Sequence, residues 1–366
     1  MSSSTMLPVP ETRVLAVASH VVYGYVGNTM AGFVMQSLGC EVAALNTVNF
    51  SNHLGYGQAK GRKTPASEVT DMYQGLKDSH LDDFNMMLSG YLPGAEVVEA
   101  VATMARELKY KAIMKPGSFF WILDPVMGDN GRLYVAEDVV PAYKNMIKDA
   151  DLILPNQFEA EYGQYPYLRV ILLTFVRTLS GVKITDMDSL KQAITTLHET
   201  YRIPHIIVTS IPSLAGPGAE PSLSVVGSTI TSTGKPRIFG IKVPQLDCFF
   251  SGTGDMFAAL MLVRLREAVH NTEGLSETDS WVSTDEIAAV DLPLACAAEK
   301  VLASMQGVLA RTKAKGDLEM EKFHTKDVEV DEKELRLIKS KAYEVRMVRN
   351  LDCLMNPEIT YRAETV

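Results

Sequence analysis

The chain alternates short apolar runs with longer stretches in which apolar residues recur every three or four positions. Short runs rich in β-branched and large apolar side chains predict buried strands, and the longer spacing predicts helices with one buried face. Strands are predicted at 13–18, 41–45, 86–89, 119–123, 151–154 and 206–209, and helices at 28–38, 68–78, 95–110 and 188–200. The carboxyl ends of such strands face the ligand crevice in open α/β sheets. The pattern therefore predicts an α/β protein with its binding site at that edge.

The second half of the chain contains fewer strand-like runs. The remaining elements are predicted at 223–227 and 237–243 as a hairpin-like pair, and as helices after residue 255, at 292–309 and at 334–347. Segment 313–333 alternates charges without an apolar stripe, which predicts a mobile surface segment. Residues 1–12 lack a basic stretch followed by an apolar core, so they are interpreted as a flexible lead without a secretory signal. One domain is expected over 13–366.

The composition of the chain argues against several classes of binding partner and of structural site. Of the 366 residues, 46% are hydrophobic, which is ample for a large buried core. The net charge of -9 argues against broad binding to nucleic acid or to an anionic membrane, because both favour basic surfaces. The four cysteines form no C-x-x-C pair, so neither a zinc site nor a disulfide framework is indicated. No apolar run reaches the roughly 18 to 20 residues that span a bilayer. A cytoplasmic location is expected, with a nuclear one left open.

The stretch most suited to chemistry joins a glycine turn to a helix, QLDCFFSGTGDMFAAL at 245–260. Gly252 and Gly254 lack a Cβ, so the backbone can turn sharply and bring consecutive N–H groups close to a ligand. A helix start stabilises an anion such as a transferring phosphoryl group, and Asp255 beside it could accept a proton from an attacking hydroxyl. The alternative is that Asp255 only caps the helix. The run is neither a P-loop nor a dinucleotide fingerprint.

Three other polar groupings are candidates for binding. Asp124 and Asp129 flank a proline and a glycine, an arrangement suited to hard cations, with a solvated acidic loop as the alternative. Asn156 and Glu159 are three residues apart and so share one face of a predicted helix. The stretch 46–57 mixes Asn, Thr, Ser, His and Tyr with glycines, which is typical of a binding loop.

Seven stretches together resemble the ribokinase-like superfamily, and within it the pyridoxal kinase family of fungal type. They are RVLAVASHVVYGYVG (13–27), LNTVNFSNHLGY (45–56), SGY (89–91), DPVMGD (124–129), PNQFEAE (155–161), IVTS (207–210) and GTGD (252–255), in the family's order. The resemblance implies a mostly parallel central sheet with helices on both faces. It also implies transfer of the γ-phosphoryl group of ATP to the 5′-hydroxymethyl oxygen of pyridoxal, pyridoxine or pyridoxamine, a reaction of vitamin B6 salvage.

The resemblance further implies roles for particular residues. Asp255 takes the proton, and the turn of Gly252, Thr253 and Gly254 holds the developing charge. The vitamer is expected to contact Ser19, Thr47 and Tyr91, and ATP to contact Asp124, Tyr134, Asn156, Thr209, Ser210, Leu246, Asp247, Cys248 and Thr253. Mg²⁺ is expected near Asp129 and Glu159, and a monovalent cation, K⁺ or Na⁺, near Asp124. His53 is interpreted as structural, because the family assigns the base to the late aspartate. A homodimer with small-molecule substrates, and without nucleic-acid or membrane partners, is expected.

Two features depart from the family pattern. Leu154 stands where related kinases usually carry a threonine that helps bind the monovalent cation, and leucine offers no side-chain oxygen. Residues 162–178 (YGQYPYLRVILLTFVRT) interrupt a normally continuous helix, either as a genuine surface insertion or as sequence from an unspliced intron or faulty gene model. Peptide mass mapping of the native protein separates these two. Two rival functions stay open, a kinase of the hydroxymethylpyrimidine type and a catalytically impaired protein that binds pyridoxal 5′-phosphate.

Overall fold

The computed structural model describes residues 7–126, 128–129, 132–133, 138–155, 176, 179–212, 221–325 and 329–366. Its strands are β1 (Thr12–Tyr23), β2 (Cys40–Asn52), β3 (Gly61–Lys63), β4 (Met86–Ser89), β5 (Phe120–Leu123), β6 (Gly128–Asp129), β7 (Arg132–Leu133), β8 (Leu152–Ile153), β9 (His205–Pro212), β10 (Ser222–Ile230), β11 (Pro236–Pro244) and β12 (Glu364–Thr365). Its helices are α1 (Gly27–Ser37), α2 (Ala66–Asp78), α3 (Ala95–Ala112), α4 (Val139–Met146), α5 (Met187–Tyr201), α6 (Thr253–His270), α7 (Pro293–His324), α8 (Glu332–Ala342) and α9 (Leu351–Met355). None of these described helices is both long and apolar enough to cross a bilayer.

Ten strands of the described chain form one sheet in the order β12-β11-β10-β9-β8-β5-β4-β1-β2-β3. The central strands from β9 to β2 run parallel, whereas β3, β10, β11 and β12 pair antiparallel at the two sides. Parallel neighbours need crossover connections, and these are mostly helical here. The predicted α/β architecture, a mostly parallel central sheet with helices on both faces, is confirmed.

Each central strand sends alternate side chains to opposite faces of the sheet. In β1, Val14 and Ala16 belong to one apolar core, which they share with α1, α6 and α7. Leu15 and Val17 belong to a second core, which they share with α2, α3, α4 and α5. Because both faces are buried, the strands are continuous apolar runs rather than alternating ones. This burial sets the register and therefore determines which residues emerge at the carboxyl edge.

The first two strands extend further than their apolar runs predicted. β1 continues to Tyr23 and β2 to Asn52, and the two pair in parallel along this extension. Segment 46–52 is therefore a strand where a binding loop was predicted, and its Val48 and Phe50 line the cavity at the carboxyl edge of the sheet. β1 also begins early, at Thr12, and Val9 is buried, so the N-terminal lead is shorter than the predicted 1–12.

The C-terminal part is more regular than predicted. α7 continues to His324, so residues 313–324, predicted to belong to a mobile surface segment, are helical. Three buried residues four positions apart form a narrow stripe, Thr312, Gly316 and Met320. A Cβ on Gly316 would come 2.3 Å from the Tyr343 ring, so the helix packs closely on the segment after α8. The pattern escaped the sequence analysis because only one of the three residues is large and apolar.

Candidate active site

A cavity of about 530 Å³ opens at the carboxyl edge of the parallel strands. Its wall includes Ser19 near the end of β1, Tyr91 and Asp124 just beyond β4 and β5, and Thr209 in β9. Residues 252–255, at the start of α6, border the same cavity. Segments far apart in the sequence therefore meet where open α/β sheets bind their ligands.

Two parts of the cavity differ in chemistry. One part is walled by apolar side chains of β10, β11 and α7, namely Leu223, Val225, Val243, Leu302, Met305 and Leu309. A flat, largely apolar group suits such a wall. The other part is built by the extended strands, where Ser19 pairs with Val48 and Val48 pairs with Lys63, so the three lie in one row across the sheet. The cavity can therefore hold one apolar ring system and one ring surrounded by polar groups.

The glycine turn before α6 has the tight geometry that the sequence predicted. Gly252 has a φ of +83°, in the left-handed region, and a Cβ there would come 2.0 Å from the Tyr25 carbonyl oxygen. Only glycine fits this position. The helix that follows has 18 residues, and the amides of a first helical turn have no acceptor within the helix. The partial positive charge of this helix start suits an anionic group in the cavity.

Asp255 lies in the first turn of α6 and borders the cavity. Its carboxylate accepts a hydrogen bond from the backbone N–H of Gly27, so the starts of α1 and α6 converge on it. Burial raises the pKa of Asp255 to about 6, although the Gly27 hydrogen bond opposes the shift. Among the described residues no side chain caps α6, so Asp255 does not serve as its cap. A carboxyl with a pKa this close to neutrality is suited to accept a proton.

Asp124 is a second carboxyl at the same cavity, and it is more deeply buried than Asp255. It is 3% exposed, and its Oδ1 has no hydrogen-bond partner among the described residues. Burial, and then the nearby charge of Asp255, raise the pKa of Asp124 well above its ordinary value. A buried carboxylate oxygen without a partner fits a bound cation, because a positive charge would offset the free-energy cost of burying the carboxylate.

The raised pKa of Asp255 predicts a pH-dependent gain in stability for Asp255→Asn in the ligand-free protein. The ordinary value is 3.8 and the folded value is about 6, so the wild type loses stability as the pH rises through this window, whereas asparagine does not titrate. The free energy of unfolding of Asp255→Asn should therefore rise relative to that of wild type between pH 4 and about pH 8. We expect this rise to be on the order of 2 to 3 kcal/mol. Urea unfolding at both pH values measures this difference. A difference independent of pH would contradict the raised pKa of the Asp255 carboxyl.

Comparisons with known proteins identify the family. No family model matches the chain. A putative pyridoxal kinase of Saccharomyces cerevisiae is 34% identical over 349 residues, which cover 93% of this chain and 97% of the relative. The pyridoxal kinase of Ovis aries is 32% identical and covers 82% of this chain and 86% of its own length. The chain belongs to the pyridoxal kinase family.

The fold agrees with this membership. The chain is similar to the pyridoxal kinase of Leishmania donovani in complex with ADP and pyridoxamine, with a TM-score of 0.73 at 27% identity. The match covers 97% of this chain and 100% of that one. Both the resemblance inferred from the seven motifs and the ribokinase-like fold that it implied are confirmed.

The structure brings most of the described motif residues of this pyridoxal kinase family member together. The predicted site residues that line the cavity are Ser19, Tyr91, Asp124, Thr209, Gly252, Thr253, Gly254 and Asp255. Tyr134, Asn156 and Glu159 lie outside the described residues, as does the insert 162–178 apart from Val176. For Asp129 and Ser210 the description covers only the backbone, in β6 and β9.

Thr47 does not line the cavity, so its predicted contact with the vitamer stays a prediction. It is fully buried, and its hydroxyl donates a 2.7 Å hydrogen bond to the Tyr91 carbonyl oxygen. The reason is a register shift, because Ala18 pairs with Asn46 but Ser19 pairs with Val48, so Thr47 is the extra residue of a bulge. Thr47 therefore supports the backbone of a cavity residue, Tyr91.

In the segment after β11, the residues that reach the cavity come later in the chain than those predicted to contact ATP. Leu246, Asp247 and Cys248 do not line the cavity, whereas Phe249, Phe250 and Ser251 do. Leu246 packs against the apolar core and Asp247 is exposed. A bend closed by the Cys248 N–H on the Leu246 carbonyl oxygen, at 2.8 Å, precedes the residues that reach the cavity.

Several wall residues were missed by the sequence analysis. They are Val21, Val48, Phe50, Leu54, Gly55 and Lys63 from β1 to β3, and Leu302, Met305, Gln306 and Leu309 from α7. The α7 residues carry a usable signal, since positions spaced by three and four share one helix face. Val48, Phe50, Leu54 and Gly55 lie in the stretch 46–57 that was predicted to bind, although none of them was singled out. Val21 and Lys63 carry no signal, because their role depends on how far the strands extend beyond the core.

Proposed function

We propose that this chain transfers the γ-phosphoryl group of ATP to the 5′-hydroxymethyl oxygen of pyridoxal, pyridoxine and pyridoxamine. The observation that carries the proposal is the partly buried Asp255 carboxylate beside the start of α6, in a cavity with one apolar and one mixed wall. Structures of the pyridoxal kinase of Leishmania donovani contain ADP with pyridoxamine and ADP with pyridoxine. They support both the nucleotide and the vitamers as substrates in this proposal.

In this reaction the Asp255 carboxylate accepts the proton of the 5′-hydroxyl group. The freed oxygen forms a bond to the γ-phosphorus, the bond from that phosphorus to the β–γ bridging oxygen breaks, and ADP leaves. The amides at the start of α6 stabilise the negative charge on the transferring group. Ser19 and Tyr91 hold the pyridine ring, and the apolar wall of β10, β11 and α7 holds adenine. Positioning and electrostatic stabilisation thus supply most of the catalysis.

The cation sites are proposals of the same kind. Asp129 and Glu159 would hold Mg²⁺, which neutralises phosphate charge when bound, and Asp124 would lie near a monovalent cation. The Oδ1 of Asp124, which has no hydrogen-bond partner among the described residues, supports a cation at this carboxylate. For a monovalent cation, K⁺ or Na⁺, the side chain of Leu154 contributes nothing, since it is buried in the apolar core. Besides Asp124, such a cation would have to use backbone carbonyl oxygens, and turnover with and without each salt tests it.

A cytoplasmic homodimer completes the proposal. The described cysteines are free thiols, which suits a reducing compartment. Val22 and Tyr23, at the end of β1, are 83% and 51% exposed, an apolar surface that a second copy would cover. Sedimentation of the purified chain gives the oligomeric state.

One assay tests the function against its rivals. The purified chain is given ATP, Mg²⁺ and either pyridoxal or hydroxymethylpyrimidine, and ADP release is followed for each substrate and for the mixture. We expect turnover with pyridoxal to exceed turnover with the pyrimidine. Preference for the pyrimidine supports the rival kinase, and binding of pyridoxal 5′-phosphate without any ADP release supports a binding protein.

Lys63 introduces a charge preference among the vitamers. It lies in the row of Ser19 and Val48, and it is the cavity's one Lys or Arg within the described ranges. Its neighbour Arg62 is 3.9 Å from Glu68, whereas Lys63 has no ion-pair partner in the described part of the chain. An unpaired ammonium group at this wall repels a cationic ligand and tolerates a neutral one.

The expected result concerns pyridoxamine, whose aminomethyl group is cationic at neutral pH. Lys63→Met should raise kcat/KM for pyridoxamine relative to pyridoxine by about three- to ten-fold. This is the effect expected from removing the repulsion between two charges several ångströms apart in a solvent-exposed site. Lys60→Met removes the same charge from a residue that does not line the cavity, so the ratio should stay at the wild-type value. An unchanged ratio in Lys63→Met would show that Lys63 does not sense the vitamer.

A further inference from the structure

A short turn after β2 borders the cavity next to the glycine turn of α6. The turn comprises residues 53–57, with a 3-10 helix at Leu54–Tyr56. His53, Leu54 and Gly55 line the cavity. A Cβ on Gly55 would come 2.8 Å from the Ser251 hydroxyl oxygen, so this turn approaches the start of α6 closely. A shift of the 53–57 turn would therefore change the shape of the cavity wall.

The 53–57 turn is hydrogen-bonded to a carboxylate from the far end of the chain. His53 Nε2 lies 2.5 Å from Glu344 Oε1, across 291 positions of sequence. The Gly55 N–H donates to His53 Nδ1 at 3.2 Å, so the ring proton is on Nε2 and is donated to Glu344. The Tyr56 hydroxyl donates to the same Oε1 at 3.0 Å. One carboxylate oxygen thus joins both ends of the turn.

The surroundings of Glu344 strengthen these hydrogen bonds. The side chains of His53 and Glu344 are 9% and 15% exposed. Gly24, with a φ of +101°, passes so closely that a Cβ there would come 3.0 Å from both Glu344 carboxylate oxygens. Hydrogen bonds to a charged acceptor shielded from water are among the stronger ones in proteins. Burial and the Glu344 carboxylate raise the pKa of Tyr56, so its hydroxyl keeps the proton that it donates.

A second attachment comes from α8. Arg336 Nε donates to the Gly55 carbonyl oxygen at 3.1 Å, and the Ser340 hydroxyl donates to the same oxygen at 3.3 Å. The C-terminal segment therefore holds the turn at its backbone as well as at two side chains. Only the Glu344 contacts reach His53, the turn residue whose ring forms part of the cavity wall.

We propose that Glu344 is a positioning residue for phosphoryl transfer, which fixes the 53–57 turn against the vitamer through His53 and Tyr56. The turn follows β2, whose Val48 lies in the same row as Ser19, so its effect falls on the part of the cavity assigned to the vitamer. Glu344 itself is absent from the cavity wall and acts only through these two side chains. The inference rests on the proposed kinase function.

The test compares two replacements of Glu344 by steady-state kinetics. Glu344→Ala removes the shared acceptor and should raise KM for pyridoxal by about 10- to 100-fold, the loss expected when hydrogen bonds to a charged group are removed. KM for ATP should stay within about two-fold of wild type. Glu344→Gln keeps an oxygen that accepts from the same two donors, so its KM for pyridoxal should stay within about three-fold of wild type.

Two controls separate positioning from general loosening of the C-terminal segment. Asp317→Ala removes the acceptor of the Tyr343 hydroxyl, at 2.8 Å, beside Glu344 but without contact to the turn. It should leave both KM values near wild type. In a double-mutant cycle, Glu344→Ala should add no more than about three-fold to His53→Ala, the effect of the remaining Tyr56 hydrogen bond. Should Glu344→Ala fail to fold, Tyr56→Phe removes one of the two hydrogen bonds and should raise KM for pyridoxal about three-fold.

Three results would each overturn the inference. These are equal KM values for pyridoxal in Glu344→Ala and wild type, the same rise in Asp317→Ala as in Glu344→Ala, and additive effects of Glu344→Ala and His53→Ala. Absence of turnover in the wild type with every vitamer would instead remove the proposed function. In that case equilibrium binding of pyridoxal to the same variants decides on Glu344. Weaker binding is expected in Glu344→Ala, His53→Ala, their double variant and Tyr56→Phe, and unchanged binding in Asp317→Ala.

Discussion

Replacing Asp255 by asparagine is expected to lower kcat for pyridoxal phosphorylation by about 10³-fold, within the range typical of a lost general base. Asparagine keeps the size of the side chain, but its amide cannot take the proton of the 5′-hydroxyl group. The start of α6 and the apolar wall are unchanged in this variant, so the dissociation constant for ADP should stay within a few-fold of wild type. Steady-state kinetics and calorimetric titration with ADP measure the two quantities.

The stability of the same variant serves as its control. Because burial raises the pKa of Asp255 to about 6, removing the ionisable group should not destabilise the fold above that pH. A low kcat in a variant at least as stable as wild type therefore reports lost chemistry and not unfolding. A kcat within about ten-fold of wild type is smaller than the loss of a base should cause, and it would mean that another group takes the proton.

Replacing Gly252 by alanine should have the second-largest effect, a fall in kcat/KM of about 10²- to 10³-fold, comparable to the loss of an anion-stabilising donor. The residue has a φ of +83°, and the new Cβ would lie 2.0 Å from the Tyr25 carbonyl oxygen. The chain must relieve that contact by moving the start of α6, which displaces its amides and Asp255 together. Denaturation should also show a loss of about 2 to 4 kcal/mol from backbone strain and the steric clash.

Gly75→Ala is the matched control for this substitution. Gly75 lies within α2, where a Cβ would meet no atom within 4 Å. Alanine there should raise stability by about 0.5 to 1 kcal/mol and leave kcat/KM unchanged. If Gly252→Ala retained wild-type kcat/KM, the geometry of the glycine turn would not be what stabilises the transferring group.

The central elements could be predicted from the sequence because their signals are local. The apolar run at 86–89 coincides with β4, and the periodic stretch 95–110 forms most of α3. The glycine turn and Asp255 could also be placed, since a left-handed glycine before a helix start is a short-range feature. The family motifs then brought the remaining site residues to one edge of the sheet, as parallel strands require.

The rest of the site depends on features that a single sequence does not display. The bulge that removes Thr47 from the cavity arises from the pairing of β1 with β2. The contact of His53 with Glu344 joins positions 291 residues apart, and the local sequence around either residue does not predict its partner. Residues 313–324 had the composition of a solvated segment, yet a glycine that packs on Tyr343 holds them in α7. In each case tertiary packing overrode the local pattern.

The central claim is that the Asp255 carboxylate takes a proton from the 5′-hydroxyl group of the vitamer while the start of α6 holds the transferring phosphoryl group. Phosphorus NMR of the purified chain with ATP, Mg²⁺ and pyridoxal tests it most directly, since it shows which oxygen carries the new ester. The account predicts a 5′-phosphate ester and ADP in equal amounts from the wild type, and scarcely any ester from Asp255→Asn in the same time. An ester formed equally fast by the variant, or ATP consumed by the wild type without any ester, would contradict it.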